Sequence, residues 1–181
     1  CSNDEPAETD PQAITVRYNI IHDNLSTGIA FLNGPADTIG PINIYGNIFY
    51  NNAHTGGHGY TGDLVMTSGM DSSVVNIYNN TFYNADPDNA VHTASVHIGN
   101  IGSGATITFK NNIVNTVADT AVSDTTNRLT HSNNLIYRSD SATNEHVNNG
   151  TSYDRDGTAS DLTNWEATAQ KASPAFSGGT L

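Results

Sequence analysis

The chain has a single cysteine, and it is residue 1. No internal disulfide can form, so packing and hydrogen bonds alone must hold the fold. Positive charge is almost as scarce. Two lysines and four arginines stand against 18 acidic residues, for a formal net charge of −12. Nucleic-acid affinity comes largely from Lys and Arg on phosphates, so this balance argues against a nucleic-acid partner. It disfavours anionic membrane surfaces for the same reason. No apolar run approaches the roughly 20 residues of a membrane-spanning helix. Apolar residues make up 36% of the sequence, little for a globular domain.

In place of these the chain has 24 asparagines, 16 glycines and a repeat. Ile14-Thr-Val-Arg-Tyr-Asn19-Ile-Ile-His-Asp-Asn24 returns as Ile42-Asn-Ile-Tyr-Gly-Asn47-Ile-Phe-Tyr-Asn-Asn52. It returns again as Val75-Asn-Ile-Tyr-Asn-Asn80-Thr-Phe-Tyr-Asn-Ala85, as Ile107-Thr-Phe-Lys-Asn-Asn112-Ile-Val-Asn115, and in worn form as Leu129-Thr-His-Ser-Asn-Asn134-Leu-Ile-Tyr137. The five key asparagines are 28, 33, 32 and 22 residues apart. Self-similarity at this period marks a solenoid or an array.

Within each copy, apolar residues fall five and three places before the key Asn, with polar or amphipathic residues between them. That is the period of a strand with one buried face. Two apolar residues then run together after the Asn, as in Ile20-Ile21 and Ile48-Phe49. A bend at the Asn is expected to keep both inside, with the Asn at the corner in an unusual backbone conformation. Stacked coils would let the asparagines bond to one another as a ladder. A second short strand follows in each coil, at Gly28–Leu32, Asp63–Met66, Ser95–Ile98 and Ala121–Ser123.

Strand, corner, strand and loop, repeated, resembles the right-handed parallel β-helix proteins, the superfamily of pectate lyases and related carbohydrate enzymes. The likeness covers residues 14–137. The tail from Asn133 through Ser173-Pro-Ala-Phe176 looks like the closing segment of many secreted members. The resemblance implies an all-β, right-handed parallel β-helix of about five coils with a C-terminal cap. It names no single activity, because the superfamily holds lyases, hydrolases, tailspikes and binding proteins.

The expected organisation is an acidic leader at 1–12, coils at 13–137, and a loop and capping segment at 138–181. Leu162, Trp165 and Phe176 are expected to cover the C-terminal end, on a short helix with Asp161 as N-cap. The start at Cys1 looks like a mature bacterial lipoprotein with an acidic tether; a start inside a longer β-helix is the rival reading. Nothing before Ile14 is apolar enough to cover coil 1. The N-terminal end is therefore expected to be open to end-to-end self-association.

Two constellations are candidates for function. The outward position two residues before the key Asn reads Arg17, Tyr45, Tyr78, Lys110, Ser132. At about 4.8 Å per strand these form a column with a cation at either end of two tyrosines. Neighbouring columns read His22, Tyr50, Tyr83, Asn115, Tyr137 and Thr15, Asn43, Asn76, Thr108, Thr130. Aromatic faces beside hydrogen-bonding groups suit sugar rings, and cations suit a uronate carboxylate; the same stack also stabilises a sheet with no ligand at all. The second constellation lies in two long loops holding His54, His58, His92, Asp86 and Asp88, with His97 and Asp63 on strands nearby. His suits general-base work near neutral pH, and Asp with Asn and carbonyls suits calcium.

Gly57-His58-Gly59 resembles the Gly-His-Gly stretch of polygalacturonases. The Asn-Thr-Asp, Asp-Asp and Arg-x-Lys elements are absent, and with them the paired carboxylates of inverting hydrolysis. A lyase is then the more natural enzyme. It needs a base, for which Lys110, Arg17, His58 and His92 are candidates. It also needs a neutraliser of the carboxylate, Arg17 or Ca²⁺ held by Asp86, Asp88 and Asp63. The expected function is a secreted or surface β-helix that binds or cleaves an acidic polysaccharide. The alternative is a non-catalytic structural or adhesive module.

Overall fold

The computed structural model describes residues 13–32, 40–54, 61–70, 72–85, 94–117, 120–138, 146–155, 157 and 160–166. Each coil contributes three strands. Coil 1 holds β1 (Ile14–Arg17), β2 (Ile20–His22) and β3 (Thr27–Leu32). Coil 2 holds β4 (Ile42–Tyr45), β5 (Ile48–Tyr50) and β6 (Gly62–Gly69). Coil 3 holds β7 (Val74–Tyr78), β8 (Thr81–Tyr83) and β9 (Ala94–Ile101). Coil 4 holds β10 (Thr106–Lys110), β11 (Ile113–Thr116) and β12 (Thr120–Asp124). Coil 5 holds β13 (Leu129–Ser132) and β14 (Leu135–Arg138), and a small hairpin of β15 (Val147–Asn148) and β16 (Ser152–Tyr153) closes the third sheet.

Like strands stack on like. The sheets run β1-β4-β7-β10-β13, β2-β5-β8-β11-β14 and β3-β6-β9-β12-β15-β16, parallel throughout except for the final hairpin. This is a parallel β-helix, and crossovers between parallel strands of one sheet wind right-handed. The register follows the repeat residue for residue: Ile14, Ile42, Val75, Ile107 and Leu129 align, as do Val16, Ile44, Ile77, Phe109 and His131. Ile42, Ile44, Val75, Ile77, Ile107 and Phe109 are fully buried, while Ile14 and Val16 at the first coil pack on the core only in part. Phe49 stacks on Phe82 at 4.8 Å in the same interior.

The corner differs from the expectation in two ways. The residue with left-handed backbone is the one before the key Asn: Tyr18, Gly46, Asn79, Asn111 and Asn133, at φ between 54° and 64°. Four of the five are Gly or Asn, the types that reach this region most cheaply. Gly46 also has a close neighbour, because a Cβ there would meet the Tyr18 ring at 2.7 Å. The two apolar residues after the Asn do not both turn inward. Phe49, Phe82, Val114 and Ile136 are buried, whereas Ile20 is 64% exposed and Ile48, Thr81, Ile113 and Leu135 are intermediate. The reason is that the Asn side chain itself takes the inward place. Strand alternation resumes from it, so the next residue points out and the one after points in.

The inward asparagines form a hydrogen-bonded ladder. The backbone N–H and Nδ2 of Asn47 both donate to Asn80 Oδ1, at 3.1 and 3.0 Å. Asn80 donates in the same way to Asn112, and Asn112 to Asn134. Nδ2 of each also donates to a carbonyl of the coil before, as Asn80 does to Ile44 at 2.9 Å. The last rung ends on a carboxylate: Asn134 N–H and Nδ2 donate to Glu166 Oε1 and Oε2 at 2.8 and 2.9 Å.

Glu166 directly follows α1 (Leu162–Trp165), whose N-cap Asp161 accepts from Thr163 N–H at 2.9 Å. Leu162 is fully buried, and Trp165 stacks on His131 with ring centroids 3.8 Å apart. Both residues expected to cap the core do so, and Phe176 lies outside the described residues. His131 takes the inward place held by Phe109 one coil earlier, so the core column changes from apolar to aromatic-polar where the cap meets it.

A buried donor without an acceptor costs about 1–3 kcal/mol. Asn80→Ala takes the acceptor from the Asn47 backbone N–H and the Nδ2 donor from the Ile44 carbonyl, while Asn47 Nδ2 keeps the Val16 and Tyr45 carbonyls, and should lower unfolding free energy by about 2–4 kcal/mol. Asn19→Ala, on the exposed first rung, should cost less than about 1 kcal/mol. Urea unfolding of both variants checks this, and equal losses would show that the ladder does not carry the corner.

Candidate functional site

The outward side chains of the first sheet stand in columns because the coils are in register. Arg17, Tyr45, Tyr78, Lys110 and Ser132 align on successive strands. Arg17 Nη1 donates to Tyr45 Oη at 3.1 Å. The Tyr45 and Tyr78 rings stack at 4.8 Å and 8° between planes, and the Tyr18 ring lies edge-on to Tyr45 at 5.6 Å. The ring faces are therefore turned on one another, and what the column offers solvent is ring edges, hydroxyls and the two cations. Asn76 lies one column over on the same face, where its Nδ2 donates to Asn43 Oδ1 at 3.0 Å. Three strand spacings, about 14 Å, separate the Arg17 and Lys110 positions, with both tyrosines between them.

Tyr50 and Tyr83 lie on the second sheet, past the corner, in a column that runs His22, Tyr50, Tyr83, Asn115, Tyr137. His22 stacks on Tyr50 at 4.7 Å and 1°, and its Nδ1 is 2.7 Å from Asp23 Oδ2. That contact, with a smaller one from Asn51, holds the Asp23 carboxyl below its usual range. His54 Nε2 lies 3.9 Å from the other Asp23 oxygen. At the far end of the column the Arg155 guanidinium lies over the Tyr137 ring at 4.6 Å.

The loop constellation comes through only in part. His58, His92, Asp86 and Asp88 lie outside the described residues. Asp63 is described, and it sits inside the fold with no solvent exposure. Its Oδ1 accepts from Asn52 Nδ2 at 2.8 Å and its Oδ2 from the Ser95 hydroxyl at 2.6 Å. Among the described residues no three His, Cys, Asp or Glu side chains gather as cation ligands. Asp63 instead ends a second polar chain: Asn24 N–H and Nδ2 donate to Asn52 Oδ1, and Asn52 passes on to Asp63. Gly28 and Gly62 allow the approach, since a Cβ on either would meet the Asp63 or Ala94 carbonyl oxygen below 3.0 Å.

Sequence reasoning missed this second chain and the terminal carboxylate. Asn24 and Asn52 each follow their key Asn by five residues, so the signal for the second chain was present. Glu166 carries no such signal, because its partner is set by where the solenoid ends. Comparison with protein-family models, with curated proteins and with solved structures returned no match. The class is therefore defined by the coordinates: a parallel β-helix with a buried asparagine ladder. No helix among the described residues is long and apolar enough to cross a membrane.

Burial pushes the Asp63 carboxyl up to about 6, against the hydrogen bonds from Ser95 and Asn52, which pull it down. A raised carboxyl pKa means that the folded chain holds its proton more tightly than the unfolded chain does. Asp63 should therefore make stability fall as pH rises from about 4 to about 7, by ~3 kcal/mol in all, and add no further slope above about pH 7. Asp63→Asn should remove that contribution. Unfolding free energies of parent and variant from pH 4 to 8 check it, and parallel curves would show Asp63 ionised throughout.

Proposed function

We propose that the outward face of the first sheet binds an acidic polysaccharide and that the protein is a surface or secreted β-helix of the pectate-lyase-like kind. The observation that carries this reading is one column: two of the chain's six cations flank two tyrosine hydroxyls at strand pitch. A polyanion lying along the solenoid axis would meet a guanidinium, two hydroxyls and an ammonium in turn, with Asn43 and Asn76 alongside. Arg offers a planar fork that matches a carboxylate, and Lys a point charge. The surrounding charge of −12 would keep such a contact local and sensitive to salt.

Binding fits this column better than cleavage does. A lyase needs its base and its neutralising group on one sugar, and Arg17 and Lys110 stand at opposite ends of the tyrosine pair. A second reading has its own support. The Tyr45 and Tyr78 faces are used on each other, as expected of a stack that stiffens a sheet in a structural or adhesive module.

Titration with polygalacturonate and with a neutral polysaccharide separates the two. Salt-sensitive binding of polygalacturonate alone is expected. Arg17→Ala with Lys110→Ala should weaken it about tenfold, with unfolding free energy within about 1 kcal/mol of the parent. No binding, or binding indifferent to both substitutions, would leave the column structural. Ultraviolet absorbance from an unsaturated product would restore cleavage.

A further inference from the structure

The two ends of the solenoid are chemically unlike. At the C-terminal end the ladder stops on Glu166 and Trp165 covers His131. At the other end β1, β2 and β3 are each the outermost strand of their sheet, with no further strand partner among the described residues. Tyr18, Ile20, Leu25 and Leu32 of this coil are between 51% and 73% exposed. Among the described residues, the one other exposed large hydrophobic is Val74.

The ladder also has a direction. Each rung gives two N–H donors to the amide oxygen of the next coil, so the first rung leaves an acceptor over. Asn19 donates to Asn47 Oδ1 through both its N–H and its Nδ2, and Asn24 donates to Asn52 Oδ1 in the same way. Asn19 Oδ1 and Asn24 Oδ1 themselves accept no hydrogen bond among the described residues. They flank β2 and are five residues apart, the spacing of Asn47 and Asn52 below them.

We propose that the coil 1 edge docks a parallel β-arc from a partner polypeptide carrying two side-chain amides five residues apart, an Asn-x-x-x-x-Asn segment. Such an arc pairs its backbone with the open edge, adding a strand to it. It brings an N–H and an amide to each waiting oxygen, and its inward residues cover those of coil 1. Among the described residues, this chain does not present the complementary surface. Its C-terminal end meets the ladder with a carboxylate, which accepts and does not donate. Two coil 1 edges face to face set oxygen against oxygen, and each copy brings a charge of −12. The described ends of a second copy fit neither way.

The test uses a synthetic peptide with the sequence of residues 42–53, which contains Asn47 and Asn52, and a control with both asparagines replaced by Asp. Amide hydrogen exchange of the full chain reads those N–H groups of β1 and β2 that are not bonded to coil 2, as those of Ile14, Tyr18, Asn19, Asp23 and Asn24 are. Exchange there should be fast in the chain alone and slow by about tenfold or more with saturating amide peptide. It should not change with the Asp peptide. Ile20→Lys, which sets a charge on the exposed edge, should abolish the protection while leaving exchange in β7 to β11 as in the parent. Equal protection by both peptides would overturn the proposal, and so would none up to millimolar peptide. Those same edge-facing groups already protected in the chain alone would overturn it too, because the edge would then have an occupant. Protection that grows with protein concentration, beside a growing mass in light scattering, would give the edge to a second copy.

Discussion

The hydrogen bond from one asparagine to the next is the constraint on which the solenoid depends. A narrow three-sheet coil has to turn sharply, and each turn leaves backbone N–H groups without a strand partner. A side-chain amide at the corner, as at Asn80, accepts the N–H of the preceding coil, donates back to a carbonyl of that coil and donates on to the amide of the coil after. Because each amide needs the one above and the one below, the rung spacing fixes the register of all three sheets. The close stacking of Phe49 on Phe82 and of Tyr45 on Tyr78 follows from that register rather than causing it.

Register has a second effect, on the surface. In a parallel β-helix whatever faces out of one coil faces out at the same place in the next. A modest bias in the repeat therefore becomes a continuous stripe. The Arg-Tyr-Tyr-Lys column and the His-Tyr-Tyr-Asn-Tyr column are such stripes, separated by the asparagine corner. Stacking turns the aromatic faces inward on the stripe and leaves its polar tips outward.

Much of this was legible in the sequence because it is periodic. The alternation before each key Asn gave the first sheet, the short runs beginning near Gly28, Asp63, Ser95 and Ala121 gave the third, and the asparagine spacing gave the ladder. Leu162, Trp165 and Asp161 were legible as a capped helix from composition alone. What escaped is local geometry that periodicity does not carry. The doubled apolar residues after each Asn read as two inward side chains until the Asn is known to occupy the inward place. Asp63 read as a carboxylate at the start of a strand beside the loops, open to a cation, but a buried polar chain from Asn52 draws it inside. Glu166 is one acidic residue among 18, and only the end of the ladder gives it a role.

The direction of the ladder also bears on how the chain is made. Each coil's corner N–H finds its acceptor on the amide of the coil that follows it in sequence, while the amide Nδ2 also donates to carbonyls of its own coil and of the coil before. A chain emerging N-terminus first therefore always presents one rung whose corner N–H still lacks its acceptor at the growing end, however many coils have formed behind it. Adding coils moves that rung along without removing it, and Glu166, which does remove it, comes after every strand. The solenoid can grow during synthesis, but it is closed only once its last described turn has left the ribosome.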